Sequence, residues 1–147
     1  MRRPIRRALL LMLAGGITVA CGSNNNTVPT GPTTLPTVLT ETFSGTLPKN
    51  AGFTHPFTVS DAGDVTVFLL TSAAAADPNN AIPVGISLGT WNGSSCAVVL
   101  ANDNSMPGTS IPSVTGRATA AGNLCVRVYD VGFVPGTANY ELLIDHY

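Results

Sequence analysis

Between Val38 and Tyr147 the chain has no room for a long helix. Its apolar runs are broken about every ten residues by "SDAGD", "DPNN", "WNGSS", "NDNSMPG" and "VPGTAN", clusters of Gly, Pro, Asn, Asp and Ser that end strands in turns. The segments between them, "DVTVFLLT", "IPVGISLGTW", "CAVVLA", "LCVRVYDV" and "YELLIDH", are rich in Val, Ile, Leu, Tyr and Thr, residues that suit a pleated, half-buried backbone. In "LCVRVYD" the alternation puts Leu124, Val126 and Val128 on one face and Cys125, Arg127 and Tyr129 on the other. "TSAAAADPNN" is the exception: its four alanines favour helix, but Asp77-Pro78 follows at once, so a loop with one helical turn is expected there. About seven or eight short strands with frequent turns predict an all-β fold, an antiparallel, jelly-roll-like β-sandwich forming one domain of roughly 110 residues over 38–147. No internal repeat points to a solenoid or propeller.

The chain before this domain has a different texture. Arg2, Arg3, Arg6 and Arg7 precede "ALLLMLAGGITVA", which carries no charge. A basic stretch followed by an apolar run of roughly 13 residues is the pattern of an export signal, since a membrane span needs about 20. Residues 1–20 are read as a signal peptide. Residues 21–37, "CGSNNNTVPTGPTTLPT", hold Pro29, Pro32 and Pro36 among Asn, Thr and Gly, with almost nothing to fill a core. This leader is expected to be flexible and disordered. It serves either as a tether that holds the domain clear of a surface or as a leader with no spacing role.

At the junction, Thr18-Val19-Ala20-Cys21 resembles the lipobox of bacterial lipoproteins, with Thr18 where leucine is usual. The resemblance implies that Cys21 is linked to diacylglycerol, that the peptide is cut after Ala20, and that the new amino terminus is acylated with a fatty acid such as palmitate. Several acyl chains make a stable anchor where one does not. Gly22 is not the aspartate that retains some lipoproteins at the inner membrane, so the outer membrane of the cell envelope is the expected location. Cysteine arithmetic fits, because three cysteines leave one over after any disulfide. With Cys21 lipidated, Cys96 and Cys125 form the natural pair in an oxidising compartment, two buried thiols being the alternative. Closing that loop of roughly 29 residues would contribute on the order of 3–4 kcal/mol.

Once the signal is set aside, Lys49, Arg117 and Arg127 face eight carboxylates, a net charge of about −5. No basic stripe is available to neutralise phosphates, and nucleic acid is excluded as a partner class. The expected partners are the membrane through the lipid anchor, and a polysaccharide or an envelope protein.

"FSGTL", "HPFTVSDAGDVTVFLL", "VGISLGTW", "AGNLCVRVYDVG" and "ANYELLIDH" follow in an order that resembles the bacterial pre-peptidase C-terminal domain over most of Glu41 to His146. That domain is a β-sandwich appended to secreted peptidases. The resemblance implies accessory roles such as surface binding or support of secretion, and it carries over no catalytic residues. Pro83-Val84-Gly85-Ile86 stand where the family often carries acidic residues, so no metal role transfers.

Direct signals of catalysis are absent from the sequence. His55 and His146 lack metal-pair spacing, "GSSCA" is not a nucleophile elbow, and no phosphate loop occurs. A noncatalytic protein without a resident cofactor is expected, an unrecognised hydrolase with a triad assembled from distant positions being the alternative. Two constellations suggest ligands. Asp61, Asp64, Asp103 and Asp130, with Asn102 and Asn104, place hard oxygens on turns where calcium could bind, or where the same side chains simply cap the turns. Trp91, Tyr129 and Tyr140 offer a platform for a sugar ring, or else they complete the core.

Overall fold

The computed structural model describes residues 36–108 and 110–147. The segment expected to be a signal peptide, Cys21 with its expected lipidation, and nearly all of the expected linker lie outside these residues. Among the described residues, nine strands occur in the order β1 (Leu39–Pro48), β2 (Gly52–Val59), β3 (Gly63–Ala74), β4 (Asp77–Ala81), β5 (Val84–Trp91), β6 (Cys96–Ser105), β7 (Val114–Ala118), β8 (Gly122–Tyr129) and β9 (Thr137–His146). They form two antiparallel sheets packed as a β-sandwich. One sheet runs β1-β9-β3-β4, and β7 also pairs with β3; the other runs β2-β8-β5-β6. β4 and β7 share the side of β3 opposite β9, β7 against Gly63 to Val67 and β4 against Ala73 and Ala74.

The core lies between the sheets and follows strand parity. Val65, Val67 and Leu69 of β3 and Ala138, Tyr140, Leu142 and Ile144 of β9 face Phe57 and Val59 of β2, Val84, Ile86 and Leu88 of β5, and Val126 and Val128 of β8. Val126 and Val128 are fully buried, as the alternation in "LCVRVYD" requires, while Leu124 is half-buried at the margin.

The alanine run departs from expectation. Ser72, Ala73 and Ala74 extend β3 and pair with Tyr140, Asn139 and Ala138 of β9, and Asp77–Ala81 forms β4 instead of a loop. A helical nucleus fixes several residues for one hydrogen bond. A four-alanine stretch is too short to recover that cost, so the ladder offered by β9 prevails. β3 also carries a bulge between Leu69 and Thr71, which returns Ser72 and Ala74 to the inner face after Leu70 breaks the alternation.

Candidate functional site

The outer face of the β2-β8-β5-β6 sheet is where the structure gathers most of its chemistry. Tyr129, Arg127 and Cys125 of β8 pair with Gly85, Ser87 and Gly89 of β5, so these six residues share that face, and Trp91 follows on it by parity. At the far end of β5 the β5–β6 hairpin folds back over the sheet. A Cβ on Gly89 would lie 2.2 Å from the carbonyl oxygen of Ala97, a backbone atom, so only glycine lets β6 cross there. This crossing brings Cys96 of β6 to Cys125 of β8, two strands away, and the two form a disulfide with a Cα–Cα distance of 5.8 Å. The bridge thus staples the hairpin to the sheet face, and Cys125 is fully buried beneath it.

The hairpin tip is held by its own side chains. Asn92 Oδ1 accepts from the backbone N–H groups of Ser94 (2.9 Å) and Ser95 (2.8 Å), and Asn92 Nδ2 donates to Ser95 Oγ at 2.9 Å, an Asx turn that fixes the loop after Trp91. Between this tip and β2 and β8 lies a shallow cleft of about 370 Å³. Trp91, Ser94 and Ser95 line it from the hairpin, and Gly52, Thr54 and Arg127 from the sheet. Arg127 reaches over Gly52 of β2, where an added Cβ would stand 2.9 Å from Arg127 Nη2. The guanidinium also sits 5.6 Å from the centroid of the Tyr129 ring, a cation–π contact. Tyr129 in turn spans the bare backbone of Gly85, and its hydroxyl donates to Asp103 of β6. Burial and the Asp103 carboxylate push the Tyr129 phenol up to about 12, so it stays neutral at physiological pH.

The three aromatic residues of the expected platform therefore separate. Trp91 walls the cleft, Tyr129 lies farther along the same face against Asp103, and Tyr140 belongs to the other sheet. Tyr140 is 3% exposed, between Ala138 and Leu142 on the inner face of β9, and is hydrogen-bonded to His55 Nε2 at 2.8 Å across the sandwich. Burial pushes the Tyr140 phenol up and holds His55 below the usual imidazole value. Phe43 stacks on His55 with ring centroids 5.0 Å apart. His146 is fully buried, and its Nε2–H donates to Glu41 at 3.0 Å. Each histidine thus has a local partner at the β1 and β2 side of the core.

The acidic residues do not converge. Asp64 pairs with Arg117 at 2.8 Å on the opposite sheet, and Asp103 holds Tyr129. Asp61 lies in the bend between β2 and β3. Asp130 Oδ1 accepts from the N–H groups of Gly132 (2.7 Å), Phe133 (3.0 Å) and Val134 (3.1 Å), and its Oδ2 accepts from Asn50 (2.8 Å). Burial works to raise the Asp130 carboxyl, but these four donors outweigh it and hold the group below the usual carboxylate value. Asn102 donates to the Ser113 carbonyl and accepts from the Asn104 N–H. Among the described residues no group of three or more His, Cys, Asp or Glu side chains is placed to hold a metal ion.

Sequence reasoning singled out Trp91 but missed Arg127, Thr54, Ser94 and Ser95. The available signal was the scarcity of cations: Arg127 is one of three in the domain and alternates with the buried valines of β8. No protein-family model matches the chain, and no curated protein is significantly similar to it.

Proposed function

We propose that this chain is an exported, lipid-anchored protein of the bacterial cell envelope, with the outer membrane as its location. Its β-sandwich acts as a noncatalytic binding module, and the cleft between the hairpin tip and Arg127 takes a glycan. The carrying observation is the cleft itself, with Trp91, Arg127 and three hydroxyl side chains around one space and a disulfide that holds its hairpin wall. An indole offers a flat apolar surface to the C–H face of a sugar while nearby hydroxyls and a guanidinium reach its oxygens. The lipobox-like "TVAC" and the basic, apolar segment before it support the anchor, and the resemblance of the strand order to pre-peptidase C-terminal domains supports an accessory role.

Two experiments test this reading. Trp91→Ala should abolish retention of the protein on immobilised envelope polysaccharides while leaving its circular dichroism spectrum intact; unchanged retention would contradict the cleft. Cys21→Ser should leave uncut precursor or protein that no longer partitions with membranes, and normal membrane partition would contradict lipidation. Turnover of any substrate that is lost in His55→Ala would overturn the noncatalytic assignment.

An envelope protein as partner is the second reading, and β6 favours it. β6 is an edge strand with no proline or lysine, and Val98, Val99 and Leu100 are 48%, 70% and 39% exposed on it. Such an edge can add a strand from another chain. Crosslinking from β6 to a specific envelope protein, with no glycan retention, is the result this reading expects.

A further inference from the structure

Arg127 differs from Arg117, the other arginine of the domain, in what surrounds it. Arg117 is matched by Asp64 at 2.8 Å. Around Arg127, among the described residues, no carboxylate lies within 4.0 Å, although carboxylates outnumber cations eight to three after the signal. Asp103, the acid that β6 places on the same face, is occupied by the Tyr129 hydroxyl. The Tyr129 ring packs beside Arg127 on one side, and Gly52 leaves a flat seat beneath the guanidinium. The result, among the described residues, is an unpaired guanidinium at the cleft, with Trp91 lining the same space.

We infer that the cleft selects a sugar bearing a single carboxylate, with the acid on the Arg127 guanidinium and the ring face on the Trp91 indole. This rests on the reading of the cleft as a glycan site. A planar guanidinium binds a carboxylate through two parallel charge-assisted hydrogen bonds, which neutral hydroxyls cannot match. Thr54, Ser94 and Ser95 border the same space and supply partners for ring hydroxyls. The domain's own charge limits the ligand further. A net charge of about −5 repels a polyanion at long range, so the fitting ligand is an isolated sugar acid within an otherwise neutral glycan rather than a polyuronate.

Calorimetric titration of the full chain in neutral detergent micelles tests this. The probes are disaccharides ending in glucuronate, galacturonate or mannuronate, their methyl esters, and the neutral hexose counterparts. At least one acid should bind roughly tenfold more tightly than its ester, the preference shrinking as salt is raised. Arg127→Gln should lower that acid to the affinity of the ester, and Arg127→Lys should fall between the two. Equal binding of acid, ester and neutral sugar by the wild-type chain, with all three lost in Trp91→Ala, would overturn the carboxylate inference and leave the glycan reading standing. Binding of none of the probes would overturn the inference; the glycan reading then falls separately if the polysaccharide retention assay is also negative. The acid–ester comparison uses the unaltered protein, so it decides the matter even if an Arg127 variant misfolds.

Discussion

On the inner face of the β2-β8-β5-β6 sheet, Val84, Ile86, Leu88, Val126 and Val128 fill a layer against the opposing sheet. On the outer face the same two strands carry Gly85, Ser87, Gly89, Cys125, Arg127 and Tyr129. The inner face works by volume, and cores of this kind accept aliphatic exchanges that keep their total volume. The outer face works by missing side chains. Gly89 is covered by the Ala97 carbonyl, Gly85 by the Tyr129 ring and Gly52 by Arg127. The first face holds the sandwich together, and the second makes the space in which a cleft can form.

The largest expected effect falls on the staple. Replacing Cys96 and Cys125 together by Ser should cost roughly 3–4 kcal/mol, from the entropy of a 29-residue separation. Urea unfolding measures it, and a loss under about 1 kcal/mol would mean that the hairpin stays seated without its bridge.

Gly89→Ala comes next, at about 2–3 kcal/mol, because the atom in its way is backbone and cannot rotate aside. On the inner face, Ile86→Val should cost only about 1 kcal/mol. If thermal unfolding ranks these two variants the other way, the contrast between the faces fails.

Each side of the sheet also has a titrating group, and the signs differ. Burial of His55 lowers its folded value below the ordinary 6.5. Its contribution to stability is complete above that value and is lost as the pH falls through the folded value. Tyr129, raised from 10.0 to about 12, contributes fully below pH 10 and loses its contribution as the pH rises towards 12. His55→Gln should flatten the acid limb of a stability–pH curve, and Tyr129→Phe the alkaline limb. An unchanged limb in either variant would show that the group does not titrate as its surroundings require.

The smallest effect is expected at Ser87, whose Oγ is buried without a hydrogen-bond partner. Ser87→Ala removes an unsatisfied polar atom and should be neutral or slightly stabilising in the same unfolding assay. A loss above about 1 kcal/mol would point to a partner for that hydroxyl.

Much of this arrangement was legible in the sequence where it depends on local alternation. The two faces of "LCVRVYD", the inward valines of "DVTVFLL" and the sandwich class all follow from period-two patterning. The same pattern carried an unused signal at Tyr140, which alternates with Leu142 and Ile144 in "NYELLI" and so belongs to the core rather than to a surface platform. The Cys96–Cys125 bridge is the pair that cysteine counting leaves once Cys21 is set aside for a lipid, with two buried thiols as the alternative. The bulges that set Leu70 and Val99 out of register leave no sequence mark, because each depends on the neighbouring strand. The alanine run was misread because β9 supplies its ladder from more than sixty positions away. The cleft was hidden for a similar reason: Trp91 and Arg127 meet only because a hairpin folds across Gly89, a long-range event that composition does not announce.

Trp91 is the only tryptophan in the chain, so its fluorescence reports on the cleft without labelling. Titrating the protein with solubilised envelope glycans while following this emission tests the proposed glycan site most directly. A saturable change in intensity or wavelength is expected with at least one glycan, weakened in Arg127→Gln. Emission that stays constant while the protein retains that glycan would place the binding elsewhere and contradict the central claim.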